Sequence, residues 1–251
     1  MSSTPPQGVL YRLVDAESRH VLVAAEDIRG FFVDPEEEPP PAVTFLRTHR
    51  CDPARRRTEN ARLEVVGRDG GTVGAYHIGR ASAAAPDPSA GAGERPDADW
   101  TFHGHTCEYP EAGRIWPRWA DGGPAEPGEW TRYPSVAHES WLHVVQTAWF
   151  TAGRRATRYG TAETAVIDGS TVTTRDSFYC ALGEAVNGPG GYFGSNLDAL
   201  HDCLRSMRRD SDRPLGVLWH DAAVSREALG SAYTDAVVSV FAESAVDVRA
   251  D

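Results

Sequence analysis

The apolar positions of the chain change rhythm twice. Through the first eighty residues they fall in short runs, at 9–14, 21–25, 43–46 and 63–78, which reads as a set of short strands. The last run is interrupted by Asp69-Gly70-Gly71, a turn signal between two alternating segments, and predicts a hairpin. Pro/Gly/Ala-rich stretches at 34–42, 81–97 and 121–128 carry few large apolar residues and read as loops or linkers. From Tyr109 the pattern becomes helical and aromatic, with Trp116, Trp119, Trp130, Trp141 and Trp149 close together. Across 136–154, Trp141, Val144, Val145, Ala148 and Trp149 fall on one helical face, which predicts a core-facing helix, with Ser135 as its cap.

After Gly160 the rhythm becomes an alternation of strand and helix. A strand is predicted at 164–168, a capped helix at 174–186, a break at Gly188-Pro-Gly-Gly191 and a second helix at 196–207. A strand at 215–219, a helix at 233–244 and a last short strand at 246–249 complete the series. That order implies a small three-stranded parallel sheet with helices packed on it. The expected organisation is therefore two domains: a β-rich α+β domain over 1–158 and an α/β domain over 161–251.

Composition adds a constraint on partners. Hydrophobic residues at 41% and charged residues at 24% suit a folded chain, and the formal net charge is -11. From Thr161 onward 14 Asp/Glu face 7 Arg and no Lys, so most of the excess lies in the second domain. An acidic surface argues against direct binding of nucleic acid and for a basic partner. No apolar run reaches membrane-spanning length and the first residues lack a signal pattern, so the expected setting is cytoplasmic, without membrane contact. Cys51, Cys107, Cys180 and Cys203 show no paired spacing and read as free thiols.

The informative segment is Gly191-Tyr-Phe-Gly-Ser-Asn-Leu-Asp-Ala-Leu-His-Asp-Cys-Leu204. Asp198 and Asp202 are four apart on one helix, so both carboxylates project from the same face. The loop ahead of them would hold Tyr192 as a flat aromatic beside two acids, a surface complementary to a basic, phosphate-binding cleft. Asp198 also follows Ser195 at capping-box spacing, and Asn196 reads as a cap or a loop-ordering residue. Leu197, Leu200 and Leu204 read as core.

This string resembles the loop and second helix of the barstar family of ribonuclease inhibitors. Ala165-Val-Ile-Asp-Gly169 looks like that family's first strand and turn, 214–219 like its central strand, and Val240-Phe241-Ala242-Glu243 like its last helix. The resemblance covers about ninety residues and nothing before Gly160 shares it. It implies an inhibitor, not an enzyme, that needs no cofactor. The acid matching Asp202 would enter a ribonuclease active site in place of a substrate phosphate, with Tyr192, Phe193, Gly194, Asn196, Asp198, His201 and Glu243 around it. The implied partner is a basic, guanyl-type microbial ribonuclease. The family's aromatic residues are replaced at His201, Phe193 and Met207, which leaves open a module retuned to a non-ribonuclease basic partner.

Two other clusters carry possible chemistry. His103-x-His105-x-Cys107 would share one face of a strand and could hold zinc with His49, Cys51, His77 or His138 as a fourth ligand, although a half-exposed polar strand is the simpler account. His138-Glu139-Ser140 with His143 lies outside any nucleophile elbow, and an ordinary polar helix face explains it without a hydrolase.

Overall fold

In the first part of the chain, strands rich in buried apolar residues close upon themselves. The computed structural model describes residues 8–84, 95–104, 106–210 and 213–251. The described residues form two compact units, divided between Gly123 and Pro124.

The first unit holds β1 (Tyr11–Asp15), β2 (Val21–Arg29), β3 (Val43–Cys51), β4 (Arg57–Val66), β5 (Thr72–Ala83), β6 (Ala98–Phe102) and α1 (Ala112–Ala120). The strands make a closed antiparallel barrel in the order β1-β2-β3-β6-β5-β4, in which each strand pairs with two neighbours. Tyr11 and Leu13 sit opposite Val65 and Leu63 across β1 and β4, and all four are fully buried. The expected hairpin joins β4 to β5: the Gly67 N–H donates to Gly71 O at 2.8 Å and the Gly71 N–H to Asp69 Oδ1 at 2.9 Å. On α1, Trp116 is fully buried and donates its indole N–H to the Tyr76 hydroxyl at 2.8 Å.

The second unit contains α2 (His138–Thr151), β7 (Thr164–Asp168), α3 (Arg175–Asn187), α4 (Leu197–Asp210), β8 (Gly216–His220), α5 (Ala222–Leu229), α6 (Ser231–Glu243) and β9 (Asp247–Ala250). Its sheet has the order β7-β8-β9 with both pairings parallel, as the alternation of strand and helix implied. Ala165, Ile167, Val217 and Trp219 bury one face of it. Thr174 caps α3 through a reciprocal bond with Ser177.

The division by packing falls earlier than the 158–161 boundary expected from the sequence, and inside a stretch that reads as a linker. The reason is α2, which packs against α3 and therefore belongs with the parallel sheet. The tryptophan run is split by this boundary: Trp116 and Trp119 are buried in the first unit, Trp130, Trp141 and Trp149 in the second. Ala137, and not Ser135, occupies the cap position of α2, with no side-chain bond, because Ser135 lies in a preceding 3-10 turn.

Candidate partner-binding site

The loop between α3 and α4 is tied to the last turn of α3. Glu184 Oε1 accepts the Gly190 N–H at 3.2 Å, and Asn187 Nδ2 donates to Tyr192 O at 2.7 Å. The loop lies so close to α3 that a Cβ on Gly183 would stand 2.2 Å from Gly191 O. Gly194 turns the chain at φ 100°, in the left-handed region that favours glycine, and an added Cβ there would meet the Leu200 nitrogen at 2.9 Å. Asn196 then caps α4, its Oδ1 accepting the Ala199 N–H at 2.8 Å.

Helix α4 divides cleanly. Leu200, Cys203, Leu204 and Met207 are buried, on the side that packs against α6, while Asp198, His201, Asp202 and Arg205 are exposed. Leu197 is half-buried. Burial and the Asp202 charge push the Cys203 thiol up to about 12, so this cysteine is held as an unreactive core residue. Asp198 and Asp202 present their carboxylates on one face, one turn apart, as the spacing implied. Asp202 accepts a hydrogen bond from Arg205 at 2.8 Å, with both side chains more than half exposed. Glu243 is the exposed last residue of α6.

The loop aromatics differ from expectation. Tyr192 is only 3% exposed and Phe193 is fully buried, so neither offers a free aromatic face. The Tyr192 ring lies 5.3 Å from that of Phe150 on α2, its hydroxyl is bonded to Ser195, and burial raises its phenol. Ser195 is thus engaged with Tyr192, and Asn196 is the residue that caps the helix.

The segment ahead of β7 is held to the same loop frame. Asn187 Oδ1 accepts the Tyr159 N–H at 2.6 Å, and its Nδ2 also donates to Thr157 O at 3.1 Å. Glu184 Oε2 accepts the Gly128 N–H at 2.6 Å and the Trp130 indole N–H at 3.3 Å. Burial raises the Glu184 carboxyl, and these donors oppose the rise. Arg155 pairs with Asp210 at the end of α4 at 3.1 Å.

Residues 162–251 match the family model Barstar (barnase inhibitor). The match covers the sheet, α3, the tethered loop, α4 and α6; α2 and the first unit lie outside it. The Barstar-matching domain thus carries the whole acidic face, with part of its loop support supplied by residues that precede the match. No curated protein matches the chain.

The other clusters do not form comparable sites. Strand β6 ends at Phe102, so His103 and Cys107 do not share a strand face; His103 bonds to Ser82 at 3.1 Å, and Cys107 is buried with its thiol pushed up to about 12. His105 lies outside the described residues. Among the described residues no three His, Cys, Asp or Glu side chains gather as a metal site, and His49 is bonded to Glu26 at 3.0 Å. His138 is buried against Trp130 with its Nε2 at 3.2 Å from Tyr133 O, and burial lowers its pKa. Ser140 beside it is 2% exposed, which removes it as an accessible nucleophile. No described helix is long and apolar enough to cross a membrane.

Proposed function

We propose that this protein is an intracellular, cytoplasmic inhibitor of a basic, secreted-type microbial ribonuclease, acting as an immunity or antitoxin-type protein. The observation that carries this reading is the exposed pair Asp198 and Asp202 at the start of α4, presented by a glycine-rich loop in a domain that matches a family of barnase inhibitors. Asp202 occupies the phosphate position among the enzyme's Arg, Lys and His side chains. Asp198, His201, Asn196 and Glu243 line the contact, while Tyr192, Phe193 and Gly194 shape the loop behind it. A carboxylate that accepts charge-assisted hydrogen bonds in a cleft emptied of water makes a strong and specific contact. The surrounding negative charge attracts a basic enzyme at a distance. Such a plug needs neither cofactor nor catalytic group, and the protein is on this reading not an enzyme.

The test is titration of the purified chain into a panel of secreted guanyl-type microbial ribonucleases. Tight, stoichiometric inhibition of at least one member is expected. Asp202→Ala should weaken it by about 2–5 kcal/mol, the range for truncating one partner of a buried interfacial charge pair. Lack of inhibition across the panel overturns the reading.

A second reading gains from the burial of Tyr192 and Phe193 and from His201 at a position where the family carries Trp. With the aromatic chemistry of the loop changed, the same acidic face suits a basic partner that is not a ribonuclease. In that case the panel stays uninhibited, and an Asp202-dependent partner is captured instead.

A further inference from the structure

The loop ahead of the acidic helix offers no exposed aromatic, because Tyr192 and Phe193 are both buried. Two rings reach the surface near this loop, Tyr159 at 50% exposed and Phe150 at 44%; Tyr159 packs on Trp149, whereas Phe150 is edge-packed on the loop residue Tyr192 itself at 5.3 Å. We propose that Phe150, from α2, is the aromatic contact of the inhibitory face, and that Tyr192 serves as its support and does not itself touch the partner.

Single exposed apolar residues are common on protein surfaces and by themselves signify nothing. Phe150 differs in how firmly its position is fixed and in what lies next to it. The residue before it, Trp149, is buried and donates its indole N–H to Arg155 O at 2.9 Å, while the Arg154 guanidinium sits 4.6 Å above the Trp149 ring. The chain that follows is tied to the loop frame through Thr157 O and the Tyr159 N–H, both on Asn187, and to the end of α4 by Arg155 with Asp210. The two nearby arginines are thereby engaged, one by an aromatic face and one by a carboxylate. An aromatic held in place before binding loses little freedom on contact, and rigid aromatics at the edge of a charged patch are frequent anchors of interfaces.

The occupant this surface fits is the same basic ribonuclease, and the inference rests on that reading. The rim of a phosphate-binding cleft carries Arg, Lys or His side chains, and the face of a phenyl ring attracts such cations. Asp198 and Asp202 would take the cations at the centre of the cleft, and Phe150 one at its rim.

The experiment measures inhibition constants for the full chain and for Phe150→Ala, Phe150→Tyr and Asp202→Ala, against the panel member that the wild type inhibits best, at low and high salt. Phe150→Ala should weaken inhibition about tenfold or more, as for a buried aromatic anchor. Phe150→Tyr should retain it with a melting temperature close to the wild type, while Phe150→Ala, which uncovers Tyr192, should stay folded with a lowered melting temperature. The salt dependence should be flattened by Asp202→Ala and left unchanged by Phe150→Ala, since only the former removes a charge. If Phe150→Ala inhibits as well as or better than the wild type while Asp202→Ala is impaired, the inference is overturned and the ribonuclease reading stands. Should Phe150→Ala not fold, Phe150→Leu replaces it; wild-type inhibition by that variant overturns the inference, and weakened inhibition by a folded Phe150→Leu supports it. If the wild type inhibits no member, the ribonuclease reading fails and this inference fails with it.

Discussion

Asn187 commits its whole side chain to backbone partners on two segments, accepting from the Tyr159 and Gly160 N–H groups and donating to Thr157 O and Tyr192 O. Asn187→Ala leaves these groups unpaired in a half-buried setting, and a loss of about 1–3 kcal/mol is expected in denaturant unfolding. Arg205 acts in the opposite sense. Its ion pair with Asp202 engages the carboxylate that the proposed function needs free. Exposed pairs of this kind contribute about 0.2–1 kcal/mol. Arg205→Ala should therefore tighten binding to a basic partner by up to about fivefold, measured by calorimetry at low salt, with little change in stability. The two acids were legible in the sequence because spacing alone puts them on one helix face. The burial of Tyr192 was not, since the ring that covers it comes from α2, far upstream, and no local pattern encodes that contact.

At the scale of elements, the α3–α4 connection depends on a left-handed turn. Gly194→Ala combines φ 100° with a close approach to Leu200, and a cost of about 1–3 kcal/mol is expected from the backbone strain alone. Calorimetric unfolding of the variant checks this. Elements with a strong local signature were readable to within a few residues: β7, capped α3, α4, β8 and α6. Helix α5 escaped notice because only Ser225 and Leu229 are buried along it, too few to set a period. Strand β6 was missed for a similar reason: its five residues include Asp99 and follow directly on a Pro/Gly/Ala-rich stretch. For α2 the apolar face was clear but its partner was not, because an amphipathic stripe does not name the surface that covers it.

For the whole molecule, the two units answer acid differently. In the barrel, hydrogen bonds from Thr58 and Ser18 hold Asp15 down at about 2, from an ordinary 3.8. Arg47, His49 and Arg95 hold Glu26 down at about 2, from an ordinary 4.5. A carboxyl depressed by folding stabilises the fold above its unfolded value, and that gain is lost as pH falls through the folded one. The barrel should accordingly lose stability between roughly pH 4.5 and 2, and Asp15→Asn should flatten part of that slope in an acid titration followed by circular dichroism. In the second unit, burial raises Asp176 and Glu184, so protonation there relieves a cost as pH falls through the range above their ordinary values. The buried His138 opposes this below its ordinary 6.5, because folding holds its ring neutral.

The extent of the second unit gives a further test. A fragment of residues 124–251 should unfold in one cooperative transition. A fragment of residues 162–251 loses the bonds to Gly128, Trp130, Thr157 and Tyr159 and uncovers Tyr192, and should be less stable by more than about 2 kcal/mol in denaturant titration. Equal stability of the two fragments would return the boundary to the 158–161 region.

Because Phe150 and the irregular segment after it lie ahead of residue 162, two chains with identical Barstar-matching segments but different residues at this position would show different surfaces around the same loop. A comparison restricted to the matching segment would treat them as interchangeable. Changes of partner would then accumulate in a helix that the family pattern leaves unconstrained, while the segment used to classify the protein stays the same.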